Sequence, residues 1–137
     1  AHLYTDRLEG VDLRLLLEED LPPAMVDPEQ MKRVFVNLID NALEALTEVE
    51  GERTITISTR HDGNRELIVA TVEDTGEGIP ANDIKKLFQP YFSTRGRGTG
   101  LGLPIVSRIV TEHGGRVFAE ANQPKGARFV IELPVTS

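Results

Sequence analysis

A chain of 137 residues that is 39% hydrophobic and 27% charged is long enough to bury one core and too apolar to remain disordered. Its formal net charge of -7, with no clustered Lys/Arg run, argues against a nucleic-acid-binding face, which needs concentrated positive charge. The absence of cysteine excludes disulfides, thiolate metal sites and thiol redox chemistry, and no apolar run approaches the ~18 residues of a membrane span.

In chain order, residues 1–10 read as a lead-in. Val11, Leu13, Leu15 and Leu17 then alternate with Asp12, Arg14 and Leu16 as a strand with one apolar face. Pro22-Pro23 breaks regular structure, and Asp27-Pro28-Glu29 supplies an N-cap, a proline at the first helical position and an acid in the first turn. Met31, Val34, Phe35, Leu38, Ala42, Ala45 and Leu46 recur at helical spacing, so the pattern predicts a helix to about Gly51. Residues 54–59 and 66–73 are Thr-, Ile- and Val-rich around Asp62-Gly63-Asn64, which predicts a hairpin. Glycines and prolines interrupt the segment from Asp74 to Gly102, leaving room for a short helical piece at 82–88. Leu103 to His113 regains helical spacing and stops at Gly114-Gly115, and strands 116–121 and 127–133 close the chain around Gln123-Pro124-Lys125-Gly126. The order β-α-ββ-loop-α-ββ predicts an α+β fold, a mixed sheet of about five strands covered on one face by helices.

Three groups of residues carry candidate chemistry. Asn37 and Asn41 lie one helical turn apart on one side, so their amide oxygens can share a target such as Mg²⁺, although two asparagines on a solvated helix face read equally simply. Asp74-Thr75-Gly76-Glu77-Gly78-Ile79 follows a strand directly. Its glycines permit close backbone approach to a flat ligand and its carboxylate suits an exocyclic amine, while an Asp-Gly turn is the plainer alternative. Gly96-Arg97-Gly98-Thr99-Gly100-Leu101-Gly102 opens a helix, whose free amides and dipole suit phosphate oxygens; a glycine-rich linker is the competing reading. Between the last two groups, Phe88, Tyr91 and Phe92 serve either to anchor a lid or to fill a core gap.

In this order, the Asn pair, Asp-x-Gly-x-Gly, the aromatic run and Gly-x-Gly-x-Gly-Leu-Gly-Leu resemble the N, G1, F and G2 boxes of histidine kinases, within the GHKL superfamily of gyrase B, heat-shock chaperone ATPases, histidine kinases and MutL. The resemblance covers about residues 11–134. It implies the Bergerat ATP-binding α/β sandwich, with a lid at about 80–100, ATP or ADP as ligand and Mg²⁺ as cofactor. Residue by residue it implies Asn41 as the Mg²⁺ ligand, with Asn37 assisting it or the phosphates as the second catalytic residue. It assigns Asp74 to adenine, Gly76 and Gly78 with Ile79 to the wall beside the base, and Gly98, Thr99, Gly100, Leu101 and Gly102 to the triphosphate turn. The runs Tyr91-Phe92-Ser93-Thr94-Arg95 and Asn41-Ala42-Leu43-Glu44-Ala45 look most like the nitrogen-regulation branch. Where many members carry a phosphate-binding Lys three residues after the second Asn, this chain has Glu44; Arg95 or Arg97 is the alternative source of positive charge.

The activity so implied is that of a protein-histidine kinase. The γ-phosphate would pass from MgATP to a histidine on a separate dimerisation domain of the same protein, for relay to the receiver domain of a response regulator. In the ATPase branches a Glu stands where Asn37 stands, and an amide cannot accept a proton from water, which favours transfer over hydrolysis. His2, His61 and His113 lack the context of the family's acceptor histidine and read as surface residues. Little autophosphorylation is then expected of this chain alone. Residues 1–10 would lead in from the dimerisation and phosphotransfer domain, with 11–137 as the catalytic domain. The expected fragment is a monomer without membrane contact, from a homodimeric kinase that is cytoplasmic or the cytoplasmic part of a membrane-anchored sensor. The rival readings are an anti-sigma-type serine kinase, a nucleotide-binding regulatory module without transfer activity, and a GHKL ATPase.

Overall fold

The computed structural model describes residues 2–8, 10–90 and 102–136. Among these residues six strands, β1 (His2–Leu8), β2 (Val11–Leu17), β3 (Thr54–Asp62), β4 (Leu67–Asp74), β5 (Arg116–Ala121) and β6 (Ala127–Pro134), form one sheet in the order β1-β2-β3-β4-β6-β5. Only β2 and β3 run parallel; the other pairs are antiparallel, so the sheet is mixed as the element order predicts. The helices are α1 (Pro28–Ala45) and α2 (Gly102–Glu112), with a short 3₁₀ turn at Ala81–Lys86.

The one added strand is β1. Within the segment expected as a lead-in, His2–Leu8 pair with β2 from His2↔Leu17 to Leu8↔Val11, with Gly10 at φ 81° before β2. Their mixed sequence carries little alternation of its own; the backbone groups along the edge of β2 impose the pairing.

Helix α1 begins as its cap chemistry dictates. The Asp27 carboxylate accepts the Glu29 and Gln30 amides at 2.9 and 3.3 Å, and Pro28 occupies the first turn. Met31, Val34, Leu38, Ala42 and Ala45 form its buried stripe, and Val34 and Leu38 lose all solvent contact. The helix ends at Ala45, short of Gly51. The following turns close through Leu46 N–H to Leu43 O and Val49 N–H to Leu46 O, both at 3.1 Å, while Arg53 donates to the Val49 carbonyl at 2.6 Å. Leu46 and Val49 remain buried in these turns, so the apolar periodicity outlasts the helix.

Both helices cover one face of the sheet. Ile55 and Ile57 of β3, Ala70 and Val72 of β4, and Phe129, Ile131 and Leu133 of β6 alternate inward and share one core with Val34, Leu38, Val106, Ile109 and Val110. Helix α2 stops where Gly114 turns at φ 77° and the Gly115 N–H reaches back to the Val110 carbonyl at 3.0 Å. On the opposite face Glu132 is held by Arg65 at 2.8 Å and Arg116 at 2.7 Å, with Arg65 also on Asp62 at 2.8 Å. Burial pushes the Glu132 carboxyl up, but the two arginine hydrogen bonds outweigh it and hold the group below the ordinary glutamate value.

Candidate functional site

Asp74 ends β4 and is 1% exposed, the kind of burial a carboxylate sustains only with partners. Its Oδ1 accepts the Gly76 amide at 2.8 Å and the Ala127 amide at 3.3 Å, and its carbonyl oxygen accepts Asn122 Nδ2 at 2.9 Å. The segment after it is wedged between the end of α1 and the β5–β6 turn. A Cβ on Gly76 would stand 2.7 Å from the Ala45 carbonyl oxygen and 2.9 Å from the Ala45 Cβ, so no other residue fits without displacing the helix end. Gly78 adopts φ 82° and faces the Gly126 carbonyl, while Ile79 packs half-buried against the core. Thr75 continues the strand pairing: its hydroxyl donates to Glu52 O and accepts the Thr54 N–H, both at 3.0 Å. The Asp-Gly motif is thus built into the fold by packing as well as being suited to a ligand.

Asn37 and Asn41 are half-buried on α1, flanking the fully buried Leu38. The start of α2 lies against the first of them, since a Cβ on Gly102 would stand 3.8 Å from Asn37 Oδ1. The amide-rich first turn of one helix therefore adjoins a side-chain amide of the other. Glu44 is half-buried further along α1. Arg95, Gly98, Thr99, Gly100 and Leu101, with Tyr91, Phe92 and Arg97, lie outside the described residues. Phe88 does fill the core: its ring meets that of Phe129 edge-on at 6.3 Å and 84°, and Leu87 beside it is buried. Among the described residues no three His, Cys, Asp or Glu side chains converge as a metal site, and no helix is long and apolar enough to cross a membrane.

Two residues of this region escaped the motif reading. Asn122 and Gly126 belong to the β5–β6 turn, where Asn-Gln-Pro-Lys-Gly reads as ordinary turn chemistry; only the fold brings them against Asp74. His113 also departs from expectation. It is half-buried, its Nδ1–H donates to Ile109 O at 2.8 Å and its Nε2 accepts the Asp27 amide at 3.0 Å, so it joins the end of α2 to the cap of α1. His61 is exposed, as expected.

Residues 26–137 match the family described as histidine kinase-, DNA gyrase B-, and HSP90-like ATPase. Sporulation kinase E of Bacillus subtilis (strain 168) is 35% identical over 128 residues, which are 93% of this chain and 17% of that protein. The sensor histidine kinase ZraS of Salmonella typhi is 38% identical over 125 residues, 91% of this chain and 26% of that protein. The chain thus spans 17% and 26% of the lengths of these two relatives. Among solved structures, the nucleotide-free catalytic domain of histidine kinase ThkA matches with a TM-score of 0.76 at 32% identity, over 90% of this chain and 79% of that one. Full-length ShkA in complex with AMPPNP matches with a TM-score of 0.80 at 26% identity, over 93% of this chain and 26% of that one. The mixed sheet under two helices, the Asp-Gly turn wedged against the end of α1 and the extent of these matches lead to one assignment: this chain belongs to the histidine kinase-, DNA gyrase B-, and HSP90-like ATPase family, as a domain of the sensor histidine kinase type.

Proposed function

We propose that this chain is the nucleotide-binding domain of a sensor histidine kinase, which holds MgATP against α1 and directs its γ-phosphate to a histidine on a separate dimerisation domain, for relay to a response regulator. The observation that carries the reading is the placement of Asp74. It is a deeply buried carboxylate at the end of a strand, oriented by the amide of Gly76 in its own turn and that of Ala127 on β6, and such a group is preset to accept an exocyclic amine of a flat ring. Gly76, Gly78 and Ile79, which follow it directly, are proposed to form the wall beside the base.

The phosphate end falls where α1 and α2 adjoin. Asn37 and Asn41 offer neutral oxygen donors one turn apart, which fits a hard cation that keeps several waters and needs only one or two protein oxygens. When bound, Mg²⁺ supplies charge neutralisation across the phosphate oxygens; Asn41 is the ligand this chain offers, and Asn37 orients the phosphates. Gly102 stands beside Asn37, and the first-turn amides of α2 are proposed to bind the phosphates there, joined by Gly98, Thr99, Gly100 and Leu101, with Arg95 as a cation. Since Asn37 cannot take a proton from water, the site positions a phosphoryl group for transfer and does little to hydrolyse it. The parent protein is proposed to act in the cytoplasm as a homodimer.

Calorimetric titration of MgADP and MgATP into the wild-type chain and the Asp74→Ala and Asn41→Ala variants tests this. Nucleotide should bind wild type with magnesium assistance, lose its affinity in Asp74→Ala, and become magnesium-insensitive in Asn41→Ala. A folded wild-type chain that binds neither nucleotide sinks the proposal.

A further inference from the structure

The β5–β6 turn grips Asp74 from outside the motif that contains it. Asn122, 9% exposed, donates Nδ2 to the Asp74 carbonyl oxygen at 2.9 Å. Its own Oδ1 accepts the Gln123 amide at 3.0 Å, and its N–H donates to the Gly126 carbonyl at 3.0 Å, which closes the turn. Gly126 adopts φ 103° with its backbone pressed on Asp74, so that a Cβ there would run into the Asp74 carbonyl and lie 3.1 Å from Oδ1. The next residue, Ala127, donates its amide to Asp74 Oδ1 at 3.3 Å. One turn therefore meets both the carbonyl and the carboxylate of a single residue distant in sequence.

Strand pairing does not account for this grip. The β4–β6 register ends at Glu73↔Arg128, so Asp74 lies beyond that ladder, and the Asn122 side chain supplies the hydrogen bond that a further pair would have made. An amide side chain in that role fixes the Asp74 backbone while the turn it closes aims the Ala127 N–H at Oδ1.

We infer that Asn122 is a positioning residue for nucleotide-base recognition: it sets the orientation of the Asp74 carboxylate, and through it the preference for a base bearing an exocyclic amine. This rests on the proposed role of Asp74 at the base. A structural role confined to the turn would change stability but not the choice of base.

Two measurements on the 137-residue chain decide it. First, ¹⁵N NMR of the nucleotide-free wild type and the Asn122→Ala and Asn122→Ser variants reads the Gly76 and Ala127 amides, which report the carboxylate directly. Both should shift and exchange faster in the variants. Second, calorimetry with ADP and with inosine diphosphate, which has a carbonyl where ADP has the amine, should show wild type preferring ADP. The variants should bind ADP about tenfold more weakly, the scale of one buried hydrogen bond, and inosine diphosphate nearly unchanged. Asn122→Ser keeps a hydroxyl for the Gln123 amide and gives the same comparison if Asn122→Ala fails to fold. Unmoved Gly76 and Ala127 amides with the ADP preference intact overturn the role of Asn122 alone, and so does an equal loss for both nucleotides. A wild type indifferent to the two nucleotides overturns the base-reading role of Asp74, and the inference with it.

Discussion

His113 Nε2 accepts the backbone amide of Asp27 at 3.0 Å, across 86 residues of sequence. Since Nδ1 donates to Ile109 O at 2.8 Å, the ring is held as the Nδ1–H tautomer, and a single side chain ties the last turn of α2 to the cap of α1. The two helices that bracket the proposed phosphate end are thereby joined at their far ends as well.

Long-range ¹H–¹⁵N correlation at neutral pH should show that tautomer for His113. His113→Leu should cost about 1 kcal/mol of unfolding free energy by chemical denaturation, because the exposed Asp27 amide recovers part of its bond from water. A His113 that populates both tautomers equally contradicts the link.

Gly76→Ala places a methyl inside van der Waals contact, 2.7 Å from the Ala45 carbonyl oxygen and 2.9 Å from its Cβ. Overpacking of this kind costs about 2 kcal/mol. The expected variant unfolds at lower denaturant and binds ADP more weakly, because the shifted loop carries the Gly76 amide away from Asp74 Oδ1. Wild-type stability and affinity in Gly76→Ala would show that the loop does not bear on α1 in solution.

Glu132 gives the fold an acid-sensitive element. Its folded-state value lies below the ordinary 4.5, so the ion pairs contribute stability above that pH, and the contribution is lost as pH falls through the lowered folded value. Wild-type stability should therefore decline through this region, and Glu132→Gln should decline less steeply while starting less stable at neutral pH. Asp62, lowered by its hydrogen bond to Arg65, adds to the wild-type slope and remains in the variant, which is why the variant keeps some pH dependence. Parallel wild-type and Glu132→Gln profiles below about pH 5 would contradict the assignment.

Asp27→Ala removes the acceptor for the Glu29 and Gln30 amides but leaves the backbone N–H that meets His113. A loss of about 1 kcal/mol is expected, the usual cost of an N-cap. Because His113 bonds the Asp27 backbone directly, the losses in Asp27→Ala and His113→Leu should not simply add, and the double variant should show a coupling of about 0.5 kcal/mol or more. Simple additivity would mean that the cap and the histidine link form independently.

Local chemistry made much of the architecture legible. The Asp27-Pro28 cap, the apolar stripe from Met31 to Ala45, the existence of the 54–74 hairpin and the Gly114 stop each follow from neighbours within a few residues, although β3 runs on through Asp62 and the hairpin turns at 63–66. The motif positions of Asp74, Gly76 and Gly78 were readable for the same reason, since a carboxylate and two glycines after a strand mark a special turn at any fold position. The close of α1 was less so, because buried Leu46 and Val49 prolong the helical period through turns that are not helix.

What composition and periodicity left open was decided by contacts between distant segments. β1 forms because β2 presents an edge to it, and no pattern within 1–10 records that. Gly76 is required because Ala45 lies beneath it, Gly126 because the Asp74 carbonyl does, and Asn122 is turned inward by an acceptor supplied from another strand. A sequence specifies hydrophobicity and backbone freedom position by position, so it determines which residues turn, cap and bury; which atoms then meet inside the core depends on how the sheet brings β4 beside β6 and α1 beneath the 74–79 segment, and only the tertiary structure settles that.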